Sequence, residues 1–161
     1  MPIHTLGGDV FFPASHASVL ITTDNMVGSA SQFNTYSTSA EAVDGGLTVL
    51  SITEGIKFDH TLGRFTVSEA GTYKVTAVTY SNILLISASL VQTIKKNGSV
   101  DLLEGRHVLN TASNFNHSAH VLVGTFTLAA DDYIEHLIKT SSGSSKARVQ
   151  SGSTFTIKRI A

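Results

Sequence analysis

Residues 58–80, FDHTLGRFTVSEAGTYKVTAVTY, set the tightest limit on what this chain can become. They read as two short extended runs joined by a corner, and the second run, residues 72–81, is apolar on both faces. Side chains two apart in a strand share a face. By that rule Tyr73, Val75 and Ala77 point one way, while Val78 and Tyr80 point the other. An antiparallel strand with one wet face alternates apolar and polar residues. A strand apolar on both sides must be covered twice, once by its own domain and once by something further.

The same double-sidedness recurs downstream. Residues 118–128 carry Val121 and Val123 on one face and Leu122, Phe126 and Leu128 on the other, and Phe155 and Ile157 mark a third such strand near the end. Closed self-association covers the same patch on every copy, and a different partner does the same for one copy. The residues assigned to a self-association interface are Val78, Tyr80, Leu122, Phe126, Leu128, Phe155 and Ile157.

The rest of the chain is extended as well. Strands are expected at 17–23, 47–52, 55–58, 64–68, 88–96, 106–110, 133–140 and 153–160, with one more around 147–150. Asn97-Gly98 is a strong two-residue hairpin signal, because both positions tolerate positive φ. No window has helical periodicity, and turn signals recur at the spacing of a β-sandwich. Residues 90–96 fade into charge and residues 133–139 alternate, as strands with one wet face do. The chain is therefore all-β with eight to ten strands.

Composition removes several classes. At 161 residues, one domain can bury a real core. The net charge of −1 gives no electrostatic case for nucleic acid or an anionic membrane. Without cysteine there is neither a disulfide framework nor a thiolate metal site. The first residues lack the pattern of a secretory signal, and no apolar run reaches membrane-spanning length, so membrane insertion is not expected. Residues 1–40 form an N-terminal segment that anchors the chain or covers the open end of its core, with Phe11 and Phe12 as the anchoring knot. Residues 41–161 form the main domain.

Four motifs in order resemble one family. Gly63-x-Phe65 followed by Gly71-x-Tyr73 is similar to the "G-x-F-x-x-x-x-x-G-x-Y" run of C1q/TNF-like jelly rolls. Ile94 to Gly98 resembles that family's "L-x-K-N-G" hairpin. Residues 124–137, GTFTLAADDYIEHL, resemble its "L-x-L-x-x-G-D-x-V-x-L" strand pair, with Asp131 in place of the usual glycine. Ser153-Thr154-Phe155 matches the "S-T-F" of its last strand. The resemblance implies a two-sheet antiparallel jelly-roll sandwich assembled as a homotrimer, a module that binds or caps and does not catalyse. Animal members are exported behind stalks, and this sequence shows neither. By analogy with trimeric jelly rolls of bacteriophages, the resemblance points to a virion protein, a capsid decoration or a tail-fibre tip, with capsid or tail proteins as partners. The alternative is a C1q-like recognition module that binds a glycan or a protein of a host surface.

Candidate chemistry is sparse, and no cofactor is expected. His117 and His120 fall on opposite faces of an extended strand, so their spacing suits a helical metal site better than a strand. His120 and His136 are the weak metal candidates if repeated about a symmetry axis; the plainer reading is surface or hydrogen-bonded histidine. Asp131 and Asp132 are weak candidates for calcium, but Asp is also favoured in turns for its local hydrogen bonds. No nucleophile elbow, phosphate loop or metalloprotease motif is present, and no carboxylate pair is placed for glycoside hydrolysis.

Overall fold

A computed structural model describes residues 5–6, 9–10, 15–21, 25–28, 33–34, 47–83, 89–108, 116–141 and 146–161. Phe11 and Phe12 lie outside the described residues. The described strands are β1 (Thr5–Leu6), β2 (Asp9–Val10), β3 (His16–Ile21), β4 (Asn25–Gly28), β5 (Phe33–Asn34), β6 (Leu47–Ile52), β7 (Ile56–Asp59) and β8 (Arg64–Val67). They continue with β9 (Gly71–Ile83), β10 (Ser89–Lys96), β11 (Val100–Val108), β12 (Asn116–Leu128), β13 (Tyr133–Thr140), β14 (Lys146–Val149) and β15 (Thr154–Arg159).

Apart from the small β1–β2 ribbon, the strands form two antiparallel sheets. The first has the order β11-β10-β13-β8-β7, with β5 also paired to β13. The second has the order β4-β14-β9-β15-β3-β6, with β12 along the other side of β9. Neighbours far apart in sequence, such as β15 between β3 and β9, make this a two-sheet jelly-roll sandwich. β3, from the segment before residue 40, is an interior strand of the second sheet, paired with both β15 and β6.

The core lies between the sheets. Tyr73, Val75 and Ala77 of β9, Phe155 and Ile157 of β15, and Val19 and Ala17 of β3 are fully buried there. The first sheet supplies Phe65, Leu90, Ile94, Ile134 and Ile138. Phe65 and Phe155 meet across the middle with ring centroids 5.1 Å apart.

The corners carry the residues their geometry demands. Asn97, at φ 50°, and Gly98, at φ 68°, form the β10–β11 hairpin. Asp131, where the resembling family has glycine, sits at φ 66°, a left-handed conformation that Asp tolerates better than most residues. Gly71 is required by close approach: a Cβ there would lie 2.6 Å from the backbone oxygen of Ala161, which accepts a hydrogen bond from Thr72 N at 2.7 Å.

Two local expectations change. Residues 100–105, outside every strand expected from the sequence, belong to one continuous strand with residues 106–108. Their outward charges, Asp101 and Glu104, hid the strand pattern. In β10, expected to have one wet face, Val91 and Thr93 are as buried as Leu90, Gln92 and Ile94.

Candidate self-association face

Register decides which side chains of the second sheet share its outward face. Leu20 pairs with Thr154, Thr154 with Val78, and Val78 with Val121. Partners directly opposite one another point the same way, so these four form one row across β3, β15, β9 and β12. The adjacent row is Ser18, Thr156, Thr76 and Val123, with a hydrogen bond of 2.9 Å between the Ser18 and Thr156 hydroxyls. Tyr80, opposite Ala119, extends the face at one end. Lys74 and Lys158, opposite one another, bound it at the other.

The two central rows hold no charge; they are half-buried along β3, β15 and β9 and open along β12. Val121 is 54% exposed, Val123 50% and Tyr80 42%. Leu50, also 54% exposed, sits at the irregularity where β6 pairs with β3. Val121, Val123 and Tyr80 are the exposed apolar side chains of this face, beside half-buried Leu20 and Val78 and a band of Ser and Thr; exposed apolar side chains grouped in this way suit an interaction surface better than scattered ones do.

The same register corrects the sequence-based face assignment. Val78 and Tyr80 lie on the outward face. Leu122 pairs with Ala77, as does Phe155, and Ile157 pairs with Val75, so these residues point into the sandwich. Leu122, Leu128, Phe155 and Ile157 are buried in the core of a single chain, with Phe126 packed against it. Val121 and Val123, left out of the expected interface, are the residues on the outside. Alternation within one strand separates two faces, but only the pairing with β9 says which face is which.

Of the polar candidates, His120 and His136 are both interior. His120 Nε2 is 3.1 Å from Ser81 Oγ, and His136 Nε2 is 3.0 Å from Gln92 Oε1. Burial lowers the His136 pKa to about 3. Burial, followed by the neighbouring His107, lowers that of His120 to about 4. Asp132 is a turn residue: its carboxylate accepts from Ala129 N at 2.8 Å and from Asn97 Nδ2 at 2.7 Å. The Asn97 bond, then that from Ala129, holds its pKa below the usual value. Asp131 is exposed. Among the described residues no three histidines or carboxylates are grouped to hold a metal ion. His117 has no described side chain.

No protein-family profile matches the chain, and no curated protein matches it in sequence. Solved structures do match its fold. An Eiger TNF from S. frugiperda superposes with a TM-score of 0.66 at 13% identity, over 93% of this chain and 94% of that one. Murine APRIL superposes with a TM-score of 0.60 at 10% identity, over 92% of this chain and all of that one (100%). The fold of this chain is thus a TNF-like antiparallel jelly roll.

Proposed function

We propose that the chain is a non-enzymatic recognition module that works as a homotrimer, joined through the outward face of its second sheet and binding a protein or glycan partner. The observation that carries this reading is the uncharged double row from Leu20 to Val121 and from Ser18 to Val123, half-buried along β3, β15 and β9 and exposed at the two valines of β12. Closed symmetry covers such a face on every copy. A stable interface buries about 1,200–2,000 Å² in total, within reach of a face that spans four strands. The TNF-like fold supports the module, and the family resemblance implies the number three. The fold neighbours favour this role over the particle-bound one that the bacteriophage analogy suggests.

Light scattering on the purified chain tests the assembly. A mass three times the 17.0 kDa of one chain is expected; a monomer at micromolar concentration overturns the reading. Co-purification with virus particles is the separate observation that returns a capsid or tail role to the front.

A further inference from the structure

β11 closes one edge of the first sheet, and β12 runs along the free side of β9 in the second. Among the described strands each is held by backbone hydrogen bonds to a single neighbour, β10 and β9 respectively. Where the two strands face each other, His107 of β11 and His120 of β12 bring their rings together, with centroids 3.8 Å apart and planes tilted by 40°. One step along, Gly105 lies against the end of the Leu122 side chain. We propose that the His107–His120 stack is an acid-operated latch: with neutral rings it clasps the edges of the two sheets together, and protonation in mildly acidic solution frays β11 and β12 while the rest of the sandwich holds.

The surroundings suit a latch that only neutral rings can close. Facing the pair are Thr79 and Ser81 from β9, Leu90 and Gln92 from β10, Gly105 from β11, and His136 from β13. The titratable groups among these inward residues are histidines, so no carboxylate there offsets a new positive charge. The charged residues of β11 beside the pair, Glu104 and Arg106, alternate to the opposite face and are exposed. His107 Nε2 is buried with no hydrogen-bond partner among the described residues, as is Gln92 Nε2. Adding a proton at such a site adds a charge without a partner. Two imidazolium rings at this separation also repel in a medium less polar than water. The low pKa of His120 has the sign this predicts.

Among the described residues no third histidine or carboxylate joins the tilted pair in a group that could hold a metal ion. The pair is therefore read as a contact and not as a coordination site. Its effect reaches the outward face through β12: His120 points inward, while the next residue, Val121, and Val123 point outward. Fraying of β12 would disorder those two valines, so the latch regulates assembly if the self-association reading holds.

The test is backbone hydrogen exchange on the full chain between pH 7.5 and pH 4.5, corrected for intrinsic rates, in wild type and His107→Phe. Wild-type amides around His107 and His120 are expected to lose tenfold or more protection relative to β15 across that range. His107→Phe, which keeps a ring but removes one of the two proton sites and the repulsion between them, is expected to reduce the difference clearly. Uniform protection at both pH values, or the same selective loss in His107→Phe, overturns the latch. If that variant does not fold, ring titration of the wild type decides. Protonation of His120 in mildly acidic solution without loss of protection overturns the proposal; a His120 ring that stays neutral until the β11 amides open supports it. The solution mass at each pH separates the two readings. A monomer throughout overturns self-association and leaves the exchange result to judge the latch.

Discussion

Gly105 on β11 and Leu122 on β12 approach so closely that a Cβ on the glycine would lie 2.5 Å from the leucine Cδ2. The two residues belong to different sheets, so this contact sets how near the sheet edges come beside the histidine pair. A methyl group at 105 must displace Leu122, which is 6% exposed and has little room to turn. Its Cδ2 is the end of a flexible side chain, so Gly105→Ala is expected at the lower end of overpacking effects, about 1 kcal/mol destabilising. Chemical denaturation measures it. Leu122→Ala, itself expected to cost about 2–5 kcal/mol, should absorb the added methyl. The double variant is then less destabilised than the sum, and strict additivity would show that the contact does not exist.

A second contact joins two corners. Asn97 of the β10–β11 hairpin accepts from Tyr133 N at 2.9 Å and donates to Asp132 Oδ1 at 2.7 Å, and Asp132 also accepts from Ala129 N. Asp132→Ala removes these two acceptor bonds and the ion pair with Lys96 Nζ at 3.4 Å, and leaves an amide and two side-chain donors to water. A loss of about 1–3 kcal/mol is expected by analogy with a lost cap. Because the folded carboxylate pKa is lowered, its contribution is present above the unfolded value of about 4 and disappears as pH falls through the folded one. The wild type and Asp132→Ala should therefore converge in stability at strongly acidic pH, and a gap that persists there would contradict this account.

What could be read from the sequence was local. Asn97-Gly98 declares its turn through φ preference, and Gly63, Phe65, Gly71 and Tyr73 mark the jelly-roll strands because each holds a fixed place in a corner or core. Face assignment was not local. Leu122 and Val121 are equally apolar, and only pairing with Ala77 and Val78 sends one inward and the other out. The β11 strand was hidden because Asp101 and Glu104 point to solvent and Gly105 answers to Leu122, a residue in another sheet. The setting of His136 was invisible for the same reason, since its partner Gln92 lies 44 residues away. Sequence periodicity reports one strand at a time, while the candidate face and the histidine cluster are properties of several strands in register.

The buried histidines make an acid-side prediction whose sign is fixed. Both folded pKa values lie below the ordinary 6.5, at about 4 for His120 and about 3 for His136. The unfolded chain thus binds more protons, and stability is full above about pH 6.5 and falls as pH drops toward the folded values. Each histidine contributes a slope of roughly 1.4 kcal/mol per pH unit within that window. Denaturant midpoints between pH 7 and pH 4.5 should fall steeply, and His136→Leu should lower the slope by about one proton equivalent. A flat profile over that range would mean that neither imidazole is held neutral by the fold.

The outward face gives the sharpest contrast between two valines and a core aromatic. Val121 and Val123 are about half exposed in the single chain, so charging either one leaves the core of that chain intact. Val121→Asp and Val123→Lys are expected to shift intrinsic monomer stability by no more than about 0.5 kcal/mol. Three copies closed around this face would bring three like charges into an apolar seam, at a desolvation penalty of several kcal/mol per buried ion. Either variant should therefore sediment as a folded monomer with unchanged circular dichroism. Phe155→Ala, which empties a fully buried site, should instead cost about 3–5 kcal/mol and lower the thermal midpoint. Analytical ultracentrifugation with thermal melting separates the two outcomes. Both valine variants persisting as trimers would move the interface elsewhere on the sandwich, and a trimeric Phe155→Ala with a reduced midpoint would confirm that this ring serves the core and not the contact between copies.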